Sequence, residues 1–305
     1  AGEVTGSVVG AQAGMQDNNW QIRAVVGGDF SWNRSNRFGT QDGVQLQLDA
    51  FLDGTAIYND KTHLWSSRLD LEIGLLSPVA AEEQDRQFRT QTDRLFANSI
   101  YVYQLVPWFG PYGRVGLESQ VLQREQWFDD APRFVVDEGE GVRPGQEAVN
   151  RVKLGDPFAP LTLIQGAGGN FRILRTRPVE LDIRAGVGGR QTLPNGLKVL
   201  TVRAGTEADP DVLTPVQGNE SFGFEGTVVG LLRVWRIIGT TEFDGLVPVT
   251  DDQAIYTWRN QVSLRLASFI SLNYRFNVVR NPNIGLGDEA QTEHDVQIRF
   301  SYNVF

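Results

Sequence analysis

The chain has 305 residues, 41 % of them apolar, no cysteine and a formal net charge of −9. The lack of cysteine excludes disulfides and thiolate metal sites, and the acidic balance argues against a nucleic-acid partner, which needs a basic face. A membrane helix needs roughly 18 or more uninterrupted apolar residues, and the longest apolar stretch, 222–238, is broken by Gly, Glu, Thr and Arg.

Residues 1–19, rich in Gly, Ala, Val and Gln, show no clear periodicity and neither the basic nor the apolar region of a signal peptide. They read as an N-terminal periplasmic segment or a tail ahead of a barrel domain spanning 20–305. A start at Ala1 suits a protein exported to the bacterial outer membrane with its signal peptide removed. From Trp20 onward a two-residue alternation takes over. It predicts strands at 20–31, 43–53, 63–75, 95–106, 112–124, 159–173, 178–190, 221–235, 237–248, 254–266, 270–280 and 294–305.

In the third segment Trp65, Leu69, Leu71, Ile73 and Leu75 share one face. In the seventh, Val179, Leu181, Ile183, Ala185 and Val187 oppose Glu180, Asp182 and Arg184. In the tenth, Tyr256, Trp258, Val262, Leu264 and Leu266 oppose Thr257, Arg259, Gln261, Ser263 and Arg265. The last two repeat the pattern with Arg275 and Arg299 on the polar face. A soluble antiparallel sheet with one wet face alternates too. Length separates the cases, because these segments approach the roughly 9–11 tilted residues that cross a bilayer, against about 5–6 in a common soluble strand.

The connections sort by parity. With the N-terminus in the periplasm, connections four, six, eight and ten are short, at 106–111, 174–177, 236 and 267–269. The second, 54–62, is the exception, and the alternate connections 76–94, 125–158, 191–220 and 281–293 are long. The expected fold is therefore all-β: a closed antiparallel transmembrane β-barrel of about 12 strands, with short periplasmic turns and long extracellular loops. Closure is required because an unpaired backbone group in hydrocarbon costs several kcal/mol. Trp20, Trp65, Trp108, Trp235 and Tyr256 sit at segment ends, where an aromatic girdle at headgroup level would place them.

The run Phe88-Arg89-Thr90-Gln91-Thr92-Asp93, the turn Trp108-Phe109-Gly110-Pro111-Tyr112, the stretch Phe158-Ala159-Pro160-Leu161, and the block from Trp258-Arg259-Asn260 through Asn273-Tyr274-Arg275-Phe276 carry a resemblance. Together they resemble an uncharacterised family of outer-membrane β-barrel proteins from diderm bacteria. The resemblance implies a barrel in the outer membrane, with no known activity and no known site. The terminal Phe305 is similar to an outer-membrane sorting signal, although it falls out of phase with Phe300 and Tyr302.

Chemistry is sparse. His63 stands at a strand start, and His294 lies between Glu293 and Asp295. An Asp–His pair can activate water, but neighbours on a strand point to opposite faces, so no catalytic residue is assigned and no enzyme activity is expected. Asp137-Glu138-Gly139-Glu140 and Asp209-Pro210-Asp211 lack the calcium-loop spacing and read as solvated loops; no metal or cofactor is expected. Gly166-Ala167-Gly168-Gly169 and Gly186-Val187-Gly188-Gly189 lack phosphate-loop residues and mark bends or close backbone approach.

The remaining information is inside the cylinder. Arg23, Arg68, Asp70, Glu72, Asp182, Arg184, Arg259, Arg265, Arg275 and Arg299 are expected to face the lumen, joined by Arg114, Glu118 and Glu242. They form either a basic pore wall that selects small anions or a lumen closed by Arg–carboxylate pairs. The corresponding functions are a passive channel or transporter for small solutes, or a non-catalytic structural or interaction protein that anchors an envelope complex through its loops or periplasmic face. Outer-membrane lipid is the expected surrounding, with other envelope proteins as further partners.

Overall fold

In the computed structural model, the described residues are 19–34, 44–77, 89–127, 134–137, 142–144, 151–201, 211–249, 253–281 and 290–303. The first strands are β1 (Trp20–Arg34), β2 (Val44–Asn59), β3 (His63–Ser77), β4 (Arg89–Tyr103) and β5 (Phe109–Ser119). Four short strands follow: β6 (Arg124–Trp127), β7 (Phe134–Asp137), β8 (Val142–Pro144) and β9 (Arg151–Gly155). Then come β10 (Leu161–Arg175), β11 (Val179–Leu193), β12 (Lys198–Thr201), β13 (Asp211–Pro215), β14 (Asn219–Val234), β15 (Ile237–Pro248), β16 (Ile255–Arg265), β17 (Ile270–Arg280) and β18 (Gln291–Asn303).

Twelve of these close one antiparallel ring in the order β1-β18-β17-β16-β15-β14-β11-β10-β5-β4-β3-β2. The closing pair runs from Val25↔Asn303 to Trp32↔Val296, so first and last strands satisfy each other's backbone groups and no edge is left. All twelve expected strands are present, and the even count returns the chain to the rim where it began. One expectation needs correction. The second connection is not long, because β2 continues to Asn59 and pairs Gly54–Tyr58 with Ala24–Trp20, leaving only 60–62 as a turn. Thus 60–62, 104–108, 176–178, 235–236 and 266–269 all lie on one short-turn rim. The long outer connections are not plain loops either. They hold β6 paired with β9, and a four-stranded sheet β12-β13-β7-β8. Val152, Leu154 and Leu213 form a small buried core there.

The barrel is turned inside out relative to a soluble one. Ile22, Leu48, Val115, Phe222, Phe224, Val262 and Phe300 are among many large apolar side chains that stand exposed on the outside. A contiguous exposed surface of this kind marks contact with an apolar partner, and a barrel with an apolar outer band is the outer-membrane type. Inside, Asp29, Glu180, Arg184, Glu225, Asp244 and Arg299 are buried. The interior is not polar throughout. Ile57, Leu64, Ile100, Val102 and Tyr112 point inward near the short-turn rim and form a buried apolar cluster.

Candidate functional site

The lumen is crossed by ion pairs at several levels. On one side the acidic wall of β1–β3 supplies Asp29, Asp49, Asp53, Asp70 and Glu72. Register places Asp29 opposite Asp49 and Asp53 opposite Asp70. Like charges directly opposite repel, and arginines from the neighbouring wall offset this. Arg299 Nε and Nη2 donate to the two Asp29 oxygens at 2.8 and 2.5 Å, a bidentate pair. Arg275 Nη1 donates to Glu72 Oε1 at 2.9 Å, and its Nη2 lies 3.7 Å from Asp29. The Arg299 guanidinium also covers the Phe51 ring at 4.1 Å.

On the other side, Arg114 of β5 donates to Glu225 Oε2 at 2.7 Å and to Asp244 Oδ2 at 2.6 Å. Arg190 donates to the other Asp244 oxygen, Thr227 donates to Oδ2, and Tyr112 donates to Glu225. Between β14, which carries Glu225, and β5 lie β11 and β10. Glu225 reaches across them because Gly188 and Gly166 leave the wall bare beneath it. A Cβ at Gly166 would meet Glu225 Oε1 at 2.1 Å, and one at Gly188 would meet Oε2 at 2.2 Å.

At mid-lumen the pairs span the cylinder. Arg68 of β3 binds Asp70 at 2.7 Å and reaches Glu242 of β15 at 3.8 Å. Those strands stand six places apart in the ring of twelve, diametrically opposed. Arg259 of β16 lies 3.6 Å from Glu118 of β5, five places away, and Arg94 of β4 lies 3.9 Å from the same carboxylate. The guanidiniums of Arg68, Arg94 and Arg259 all stand 5.5–5.8 Å from the Phe96 ring.

Every residue expected in the lumen lies on the inward parity of its strand. The structure brings Arg68, Asp70, Glu72, Arg259, Arg275 and Arg299 into this lattice. Asp182 and Arg184 are buried, with Arg184 Nε donating to Asn170 at 3.3 Å. Arg23 stands near the chain's entry to β1, and Arg265 ends β16 at the exposed short-turn rim. Arg259, Arg275 and Arg299 do not form an open basic wall, since each faces a carboxylate of another strand. Arg94, Arg190, Asp29, Glu225 and Asp244 complete the lattice and escaped the sequence reading. The parity of their strands was the available signal.

The aromatic positions fall on both rims. Trp20 packs on Tyr58 and Trp65, with ring centroids 5.2 and 5.9 Å apart. Trp108 and Trp235 occupy the short turns, and Arg236 covers Trp235 at 5.2 Å. Tyr256 sits on the far rim against Phe243. Trp258 and Phe276 also face outward there and pack edge to face, a part of the outer belt beyond the five positions expected. Trp65 Nε1 donates to Ser99, and Trp258 Nε1 to Thr241, which satisfies both indoles.

His294 points outward, hydrogen-bonded to Tyr274 Oη at 2.8 Å and packed on Phe276. Asp295 takes the inward parity, so the two form no dyad. His63 bonds Tyr101 Oη at 2.6 Å on the outward face at the short-turn rim. Among the described residues no group of three or more His, Cys, Asp or Glu could hold a metal ion. Residues 1–18, 138–140, 209–210 and 304–305, on which the tail, acidic-loop and terminal-Phe expectations fall, lie outside the described residues.

Residues 32–123 match a family described as a protein of unknown function, DUF3078. No curated protein matches the chain. Solved structures of bacterial outer-membrane barrels align over nearly its whole length, among them these three. The translocator domain of the autotransporter NalP from Neisseria meningitidis is 8 % identical, covering 97 % of this chain and 92 % of that one, with a TM-score of 0.41. An outer membrane channel from Pseudomonas putida F1 is 9 % identical, covering 95 % and 97 %, with a TM-score of 0.41. An anion-selective porin from Comamonas acidovorans is 8 % identical, covering 93 % and 99 %, with a TM-score of 0.32. At those scores the barrel rests on this chain's own strand pairing.

Proposed function

We propose that this protein is an outer-membrane channel for small charged solutes, held closed in this state by ion pairs that cross its lumen. Export with signal-peptide removal and residence in the outer membrane are part of that reading, supported by the apolar exterior and aromatic rims. The observation that carries it is the bridging of opposed strands by Arg68–Glu242 and Arg259–Glu118. A lumen that only needed filling would be at least as stable with apolar side chains, because buried ion pairs add little net stability. Here the central charges keep access to water: the Arg94, Arg259 and Glu118 side chains are 33, 25 and 40 % exposed although they lie inside the ring. Charge lining a wet passage is how pores select ions.

Planar-bilayer recording tests this. The wild type is expected to give rare or small steps. The double variant Glu118→Gln/Glu242→Gln, which removes both trans-lumen carboxylates, is expected to give larger and more frequent ones. Silence from both folded proteins at all voltages would reject the channel. The second reading, a non-catalytic anchor with an outer docking platform, is favoured by one observation: the long connections fold into two small sheets with their own core.

A further inference from the structure

We propose that Arg94 and Arg259 form a binding site at mid-lumen for a small oxyanion, with Glu118 as its built-in competitor. The inference rests on the channel reading above and names the solute class.

The argument begins with donors. Each guanidinium carries five N–H groups in a planar fork suited to carboxylate or phosphate oxygens. Among the described residues, neither the Arg94 nor the Arg259 side chain donates a hydrogen bond. Their approach to Glu118, at 3.9 and 3.6 Å, is too long for one and leaves only Coulomb attraction. Two other lumen arginines contrast with them: Arg299 is bidentate on Asp29, and Arg114 is shared between Glu225 and Asp244. Both loosely held arginines also reach water, being 33 and 25 % exposed.

Placement reinforces the inventory. Arg94 and Arg259 enter from β4 and β16, which stand six places apart in the ring, and converge on the Phe96 ring at 5.5 and 5.8 Å. Phe96 is buried and gives the site a rigid apolar floor. Arg68 approaches the same ring at 5.7 Å, but Asp70 already holds it at 2.7 Å. An oxyanion passing along the axis meets two opposed guanidiniums with vacant donors. One carboxylate, tethered to β5, occupies the field between them without satisfying either. Displacing Glu118 exchanges a loose Coulomb contact for charge-assisted hydrogen bonds, which are roughly twice as strong as neutral ones.

The sign of the Glu118 effect separates this from a purely structural salt bridge. Calorimetric titration of the full chain in zwitterionic detergent at low ionic strength, with inorganic phosphate as probe and chloride as control, should show saturable phosphate binding. Glu118→Gln should tighten it severalfold, and Arg94→Gln/Arg259→Gln should weaken it at least tenfold. Sodium acetate in a parallel titration tells phosphate geometry from carboxylate geometry, and either satisfies the site. Compact migration of unheated protein on a gel reports folding. If the double variant fails to fold, Glu118→Gln carries the test alone. No saturable binding by the wild type, or weaker binding by folded Glu118→Gln, overturns the site. The calorimetric readout needs no conductance. Phosphate binding in a barrel that never conducts would retire the channel and leave the site standing.

Discussion

At the scale of single residues, the interior is governed by which charges have somewhere to go. Glu225 is the clearest case, since Tyr112, Arg114 and two glycine surfaces are all shaped to its carboxylate. Removing one partner of a buried pair strands the other and costs about 3 kcal/mol or more. Glu225→Ala is therefore expected to lower the unfolding free energy by about that amount in denaturant titration of the lipid-embedded barrel. Gly166→Val should lose part of the same energy by pushing the carboxylate off its seat. In the 60–62 turn, the backbone N–H of His63, followed by that of Thr62, holds the Asp60 carboxyl below the usual carboxylate range. A depressed carboxyl stabilises above its unfolded pKa and loses that contribution as pH falls through the folded value. The protection of the His63 amide against exchange, corrected for the intrinsic pH dependence of exchange, should accordingly fall on acidification below the ordinary carboxylate range, and Asp60→Ala should show that lowered protection already at neutral pH.

At the scale of elements, alternation is the message, and it is also where the message fails. Twelve strands were legible because lipid outside and charge inside impose opposite chemistry on successive residues. Residues 54–59 were not, because the interior there is apolar: Ile57 points inward and the small Ala56 outward, the reverse of the expected pattern. The loop strands β6–β9, β12 and β13 were invisible since three to five residues cannot display a period. Arg94 lies just ahead of the alternating segment expected from 95, because β4 begins earlier, at Arg89. The sharing of Glu118 by Arg94 and Arg259 could not be read at all, because parity fixes direction while the ring's stagger decides which inward residues meet. The lipid face yields a depth-dependent test. Val115, mid-strand on β5 and well exposed, should cost about 2–4 kcal/mol when replaced by Arg, whereas Phe222→Arg near the long-loop rim should cost about 0–1 kcal/mol. Equal penalties at the two depths would contradict the assigned membrane level.

At the scale of the whole molecule, closure is what the chain must achieve. The β1–β18 seam runs where Gly27 admits the Phe51 ring and the Phe300 carbonyl; a Cβ at Gly27 would lie 2.1 Å from that oxygen. Gly27→Val is expected to prevent closure, read as loss of the fast-migrating form in unheated gels, while Gly28→Ala, with its nearest atom at 3.2 Å, should retain it.

The lattice of lumen ion pairs has a consequence for biogenesis. Glu72 and Arg275 are 203 residues apart in the chain, and Asp29 and Arg299 are 270 apart. Carboxylates made early thus wait for cations made last. Until the final two strands arrive, an acidic wall faces an incomplete cylinder, and its self-repulsion favours staying open. Arrival of Arg275 and Arg299 neutralises that wall and zips the seam in one event, so a truncated chain should stall as an unsealed ribbon rather than seal into a smaller ring.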